Sequence, residues 1–165
     1  MYDEIDTSPK TRINQALALL GWVGISFTAS ITGIIVSTEG WFEGLQKPSW
    51  EPPNWIFGPV WTFLYLMMGL AAWFVWRKGG WALQRIPLWF FLLQLFLNAC
   101  WTPLFFGMHF LELALVEIVL LWLSLTITMT TFFRVSKTAF CLMIPYWSWV
   151  SYATALNFII WRMNS

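Results

Sequence analysis

The chain has 165 residues, of which 59% are hydrophobic, 20% aromatic and only 10% charged. Soluble domains carry about 25% charged residues, so this composition excludes an ordinary water-soluble domain. A net charge of +1 gives no electrostatic basis for binding nucleic acid. The composition therefore predicts an integral membrane protein whose principal partner is the lipid bilayer.

Five apolar runs along the chain are predicted to be transmembrane helices. They cover roughly residues 16–36, 57–76, 86–106, 111–133 and 138–161. Runs of about 20 residues cross a hydrocarbon core of about 30 Å at 1.5 Å per residue. None of them alternates in polarity as a transmembrane strand does. The predicted fold class is all-α: a five-transmembrane-helix bundle that forms a single domain over residues 1–165.

The first apolar run is rich in small residues. Gly21, Gly24 and Gly33 lie within it. Because small residues let neighbouring backbones approach closely in a membrane, this helix is expected to pack tightly on several others.

The only long connection, residues 37–56, contains three prolines and several aromatic residues. Pro48, Pro52 and Pro53 fix φ and remove backbone donors, so the segment is extended or turned. It is too aromatic for a solvated linker. We expect it to form a lid over the bundle, while an anchor at the membrane interface that covers no site stays the alternative.

The basic residues of the connections are distributed unequally between the two sides of the membrane. One side carries most of the Lys and Arg residues, at Lys10, Arg12, Arg77, Lys78, Arg85, Arg134 and Lys137. The other side carries only Lys47 and Arg162. The positive-inside rule then predicts a cytoplasmic N-terminus in a bacterial cell membrane.

Groups able to perform acid–base or metal chemistry are scarce. His109 is the single histidine, and Cys100 and Cys141 lie inside apolar runs without metal-ligand spacing. No Ser/His/Asp set or glycine-rich phosphate loop is present, so neither a metal site nor nucleophilic catalysis is predicted.

Polar residues inside the predicted spans are more informative, because lipid makes them costly. Glu117 lies about two turns into the fourth span, where a helix–helix hydrogen bond and a ligand contact are equally open interpretations. Gln94 and Asn98 share one face of the third span. Asn157 in the fifth span is expected to bond one helix to another.

Tryptophans inside the spans suggest two alternatives. The chain has 14 tryptophans, and Trp61, Trp101 and Trp149 are predicted to lie within the membrane. Such side chains suit a cavity for a flat, conjugated ligand, which aromatic rings bind by offset stacking. Aromatic core packing is the alternative, and composition does not decide between them.

A long motif starts in the first loop. It reads Lys47-Pro48-Ser49-Trp50-Glu51-Pro52-Pro53-Asn54-Trp55-Ile56-Phe57-Gly58-Pro59-Val60-Trp61-Thr62, followed by Leu64-Tyr65. Further matches are Leu97-Asn98, Trp101-Thr102-Pro103-Leu104-Phe105-Phe106, Pro145-Tyr146, Trp149, Ala153-Thr154, Leu156-Asn157 and Trp161-Arg162. By these residues, which extend to the C-terminus, the chain resembles the TspO/MBR family of translocator proteins, formerly the peripheral-type benzodiazepine receptors.

The resemblance implies a five-helix bundle, commonly a homodimer, with a pocket beneath the first loop. Its ligands are porphyrins such as protoporphyrin IX or haem, and in some members sterols and benzodiazepine-type drugs, with no required cofactor. The implied role is transport, sensing or regulation. By motif, the lining residues are Trp41, Pro52, Trp61, Asn98, Trp101, Trp149 and Ala153.

The resemblance also leaves an enzymatic alternative open. Trp61 and Trp149 are similar in position to tryptophans implicated in light-dependent porphyrin breakdown in some bacterial members. They are therefore the candidate catalytic residues if this chain degrades porphyrin. The proposed sterol motif departs from the family pattern, since Phe158 stands where its tyrosine is expected. High-affinity sterol binding is thus not expected.

Overall fold

A computed structural model of the protein describes residues 9–36 and 40–165. These residues form six α-helices and no strand. The helices are α1 (Pro9–Thr28), α2 (Ile31–Ile35), α3 (Asn54–Trp76), α4 (Gly80–Thr102), α5 (Leu111–Val135) and α6 (Lys137–Met163). The all-α prediction is confirmed, but the predicted number of five helices is wrong, because the first predicted span consists of α1 and α2.

Two tight backbone turns and three hydroxyl side chains mark the break between α1 and α2. The backbone N–H groups of Ser30 and Gly33 donate to the carbonyls three residues earlier, at 3.0 and 3.1 Å. Thr28, Ser30 and Thr32 each donate a hydrogen bond to the backbone carbonyl three residues earlier, at 2.6, 2.7 and 3.2 Å. Ser and Thr hydroxyls that bond back to the main chain compete with helical hydrogen bonding and bend helices. The apolar sequence of the first span therefore continues past Thr28, whereas the helical backbone is interrupted there.

Three helices of the described chain are long and apolar enough to cross a membrane. They are α3, residues Gly80–Gly107, which comprise α4 and a π-helical turn (Pro103–Gly107), and α5. Residues Ile13–Thr28 of α1 form a shorter apolar helix. These helices support the prediction of a membrane protein.

Helix α3 packs against α1, α4 and α6, and α5 lies between α4 and α6. The closest backbone approach involves Gly69 of α3, where a built Cβ would lie 2.6 Å from the Cα of Val23 in α1. By contrast, built Cβ atoms at Gly21, Gly24 and Gly33 meet no atom within 4 Å. The expected role of these three glycines in tight packing is wrong, and the small residue at the close contact belongs to α3.

Two reciprocal hydrogen bonds join α5 to α6. The indole N–H of Trp122 donates to Ser151 Oγ at 2.8 Å, and that of Trp147 donates to Thr126 Oγ1 at 3.1 Å. The two indole rings are 5.6 Å apart. Because each indole N–H needs a partner away from water, these bonds fix the rotation of the two helices relative to each other.

Candidate ligand cavity

A cavity of about 480 Å³ lies inside the bundle. Residues of α3, α4, α5 and α6 line it, together with residues at the α1–α2 break and Phe42 from a 3₁₀ turn (Phe42–Gly44). Small-molecule sites have volumes of about 300–1,000 Å³. The cavity is therefore large enough for a small organic ligand.

The structure brings together most of the residues that the sequence predicted to bind a ligand. Trp61, Asn98, Trp101, Trp149 and Ala153 all line this cavity. They come from α3, α4 and α6, whose packing places them around one space. Their contact with a ligand stays a prediction.

The two predicted loop residues lie elsewhere. Trp41 stacks on His109, with ring centroids 4.1 Å apart, and does not line the cavity. His109 has a φ of 60°, an uncommon conformation for a residue with a side chain. Pro52 lies in a separate groove between α3 and α6. Phe42, next to Trp41 in sequence, is the residue of the 3₁₀ turn that reaches the cavity.

Polar groups in the cavity wall are bound to one another. The hydroxyl of Tyr65 donates to Asn98 Oδ1 at 2.9 Å, and both residues are buried. Tyr65 belongs to the motif that starts in the first loop, but it is not among the residues predicted to line the pocket. Its position four residues after Trp61, on the same helix face, is the signal that would have identified it.

Asn157 connects three helices. Its Oδ1 accepts from the indole N–H of Trp101 at 3.0 Å, and its Nδ2 donates to the carbonyl of Leu111 at 3.3 Å. The expectation that Asn157 bonds helices together is confirmed. Asn157 also lines the cavity, so the same amide orients one of the aromatic walls.

The tryptophans of the wall are held by other aromatic rings. Trp61 stacks on Tyr65 with centroids 5.3 Å apart and contacts Tyr146 edge-on at 6.2 Å. Trp149 contacts Phe57 edge-on at 5.9 Å. Such pairs contribute about 0.5–1.5 kcal/mol beyond their buried area, so these contacts favour the observed ring positions.

Glu117 fits neither interpretation that the sequence left open. Its side chain is 7% exposed, and neither carboxylate oxygen has a hydrogen-bond partner in the described part of the chain. It does not line the cavity, although its neighbour Ile118 does. Among the described residues, Glu117 therefore forms no helix–helix hydrogen bond and has no place in the cavity wall, the two alternatives that the sequence left open.

Metal-binding and disulfide chemistry have little support in residues 9–36 and 40–165. No group of three or more His, Cys, Asp or Glu residues within these ranges could hold a metal ion. Cys100 and Cys141 are free thiols.

The first loop is attached to the C-terminal half of α6. Asn164 Oδ1 accepts from the backbone N–H of Gln46, and Asn164 Nδ2 donates to the carbonyl of Gln46, each at 2.9 Å. The hydroxyl of Tyr152 donates to the carbonyl of Trp50 at 2.9 Å. Residues 37–39 of the predicted loop lie outside the described residues.

Sequence comparisons agree with the motifs in this site. The chain is 41% identical over 140 residues to protein CrtK of Rhodobacter capsulatus, covering 82% of this chain and 86% of that protein. It is 40% identical over 133 residues to the tryptophan-rich sensory protein of Cereibacter sphaeroides, covering 81% and 82%. It is 40% identical over 126 residues to the human translocator protein, covering 75% of each. The sequence model of the TspO/MBR family matches residues 16–162, and the chain belongs to that family.

Proposed function

We propose that this protein binds a tetrapyrrole such as protoporphyrin IX within the membrane and acts in its transport, sensing or regulation. The observation that carries this proposal is the clustering of Trp61, Trp101 and Trp149 around one cavity inside an apolar bundle. Its relatives are named as a sensory protein and a translocator, which supports a role in ligand binding or transport rather than a purely structural role.

Aromatic walls suit a flat conjugated ring. Indole and phenyl rings stack on such a ring with centroids offset, and inside the bilayer these stacking and dispersion contacts supply the binding free energy, because lipid is itself apolar. Asn98 lines the same cavity and supplies an amide that orients a polar edge of the ligand. This combination, a mostly apolar wall with few polar groups, is typical of small-molecule sites.

We further propose that five segments cross the membrane, the α1–α2 unit forming the first, and that the loop after α2 is a lid. The 27-residue helix α6 is about 40 Å long, enough to span the hydrocarbon. Phe42 lines the cavity and Gln46 is bound to α6, which supports the lid. With five crossings, the positive-inside rule supports a cytoplasmic N-terminus, and the family resemblance supports a homodimer.

Binding is tested by titrating protoporphyrin IX into the detergent-solubilised protein and following porphyrin absorbance. Replacing Trp61 and Trp149 together with leucine is expected to raise Kd roughly 5- to 150-fold, from about 1–3 kcal/mol of lost stacking. Trp89→Leu is the matched control, because Trp89 is largely exposed on α4 and does not line the cavity. An unchanged Kd in the double variant would refute this site.

The second candidate function is light-dependent degradation of porphyrin. The observation that favours it is that both Trp61 and Trp149 line the cavity, so an excited porphyrin held there would lie beside two oxidisable rings. Opening of the porphyrin ring is an oxidation, and molecular oxygen dissolved in the membrane would be the oxidant. Illumination should then yield one stoichiometric product that disappears when either tryptophan is replaced. Unselective bleaching, equal in wild type and variants, would contradict enzymatic activity.

A further inference from the structure

A second apolar depression, here called the α3–α6 groove, lies between α3 and α6. Its volume is about 460 Å³. The residues that line it include Pro52, Val60, Phe63, Pro145, Ser148 and Trp149. Phe63 is 50% exposed, so the groove is open to the surroundings of the bundle. Since α3 is long and apolar enough to cross a membrane, those surroundings are the hydrocarbon of the bilayer.

Trp149 belongs to both the groove and the cavity. It lines each of them. Its ring contacts Phe57 of the cavity wall at 5.9 Å and Tyr152 of the groove at 5.8 Å. One indole ring therefore forms part of the wall that separates the lipid side from the interior.

Trp149 is held less firmly than the tryptophans that join helices. The indole N–H groups of Trp101, Trp122 and Trp147 each donate to a side chain on another helix. Within the described residues, the indole N–H of Trp149 donates to none. Aromatic packing alone fixes it, so a change of its rotamer breaks no hydrogen bond.

The two helices that border the groove both contain an internal proline. Pro59 lies in α3, next to Val60, and Pro145 lies in α6. Each proline removes one backbone hydrogen bond and so makes its helix easier to bend. The α3–α6 contact is therefore a suitable place for a transient opening.

We propose that the α3–α6 groove is a second binding site, for a neutral, flat ring compound dissolved in the bilayer, and that rotation of Trp149 admits this compound to the cavity. The apolar lining and the aromatic rings of Phe63 and Trp149 match such a compound. The passage into the cavity rests on the proposed function; the groove site itself does not.

The groove site is tested with 1-azidopyrene, a neutral, flat and photoreactive ring compound, on the full chain in lipid nanodiscs. Labelling is expected to concentrate in the peptide that contains Pro145, Ser148 and Trp149. Ser148→Phe fills the groove and should reduce this labelling at least fivefold. Leu123→Phe on α5, where the side chain is 48% exposed and lines neither site, should leave it unchanged. Uniform labelling of all lipid-facing helices would overturn the groove site.

The passage is tested by stopped-flow fluorescence with protoporphyrin IX dimethyl ester, a neutral ring compound, preloaded into the bilayer. Ser148 and Val60 line the groove and not the cavity, so Ser148→Phe and Val60→Phe should slow association with and dissociation from the cavity at least tenfold and change the Kd of the cavity less than twofold. Trp149→Ala should accelerate association. Unchanged rates in all three variants would overturn the passage. If the wild-type protein is labelled in the groove but does not bind the ester, only the proposed function of the cavity is contradicted. The groove site is then supported.

Discussion

Gly69 sets the distance between α3 and α1, and replacing it with alanine is expected to destabilise the bundle. A Cβ at this position would lie 2.6 Å from Val23 Cα and 2.9 Å from both Val23 N and Cγ2. Carbon atoms in contact prefer about 3.5–4.0 Å, so α1 must move outward by about 1 Å. Alanine gains about 1 kcal/mol of helix propensity over glycine, while overpacking costs about 1–3 kcal/mol. We expect a net loss of about 1 kcal/mol.

Gly21→Ala is the control, and it is expected to stabilise the protein rather than destabilise it. Gly21 lies in α1, and a Cβ there meets no atom within 4 Å, so only the helix-propensity gain of about 1 kcal/mol applies. Both variants are compared by SDS-induced unfolding in mixed micelles, followed by circular dichroism. Adding Val23→Ala should restore only part of the loss in Gly69→Ala, because it removes Val23 Cγ2 but leaves the nearest atom, the backbone Cα of residue 23, in place. Equal stabilisation by Gly69→Ala and Gly21→Ala would refute this account of the contact.

Two further substitutions test buried polar groups. Asn157→Leu removes the acceptor of the Trp101 indole N–H and should lower the free energy of unfolding by about 2 kcal/mol. When Trp101→Phe is already present, the loss should be smaller, since only the bond from Asn157 to the Leu111 carbonyl is then removed; an equal loss in both backgrounds would show that the two side chains are not coupled. Glu117→Gln removes a potential charge from a site where residues 9–36 and 40–165 supply no hydrogen-bond partner, so it should raise the thermal unfolding midpoint in detergent. A lowered midpoint would show that the carboxylate has a favourable partner.

The helical segments could be predicted because hydropathy is a local property, but the break after Thr28 could not. The hydrophobic run of the first span continues through Thr28 and Ser30, and hydropathy does not record that the backbone N–H of Ser30 bonds to the carbonyl three residues earlier instead of continuing the helix. Tight packing was likewise assigned to the wrong glycines. A glycine count shows where close approach is possible, whereas Gly69 is close to α1 only because of how α3 is oriented.

The cavity residues on helices could be predicted better than those on the loop. Trp61 and Trp149 lie on α3 and α6, where helix geometry and the motif together determine which side chains face inward. Trp41 lies in a loop, and its position depends on stacking against His109, which is 68 residues away and has an unusual backbone conformation. Such a contact has no signature in local sequence.

The hydrogen bonds between Gln46 and Asn164 have a consequence for biosynthesis. The two residues are 118 positions apart in the chain, so the partner that secures the first loop is synthesised after all of α6. While α6 is incomplete, the cavity also lacks the wall formed by Trp149 and Ala153. The nascent bundle therefore exposes an unfinished aromatic cavity to lipid until synthesis of the last helix ends.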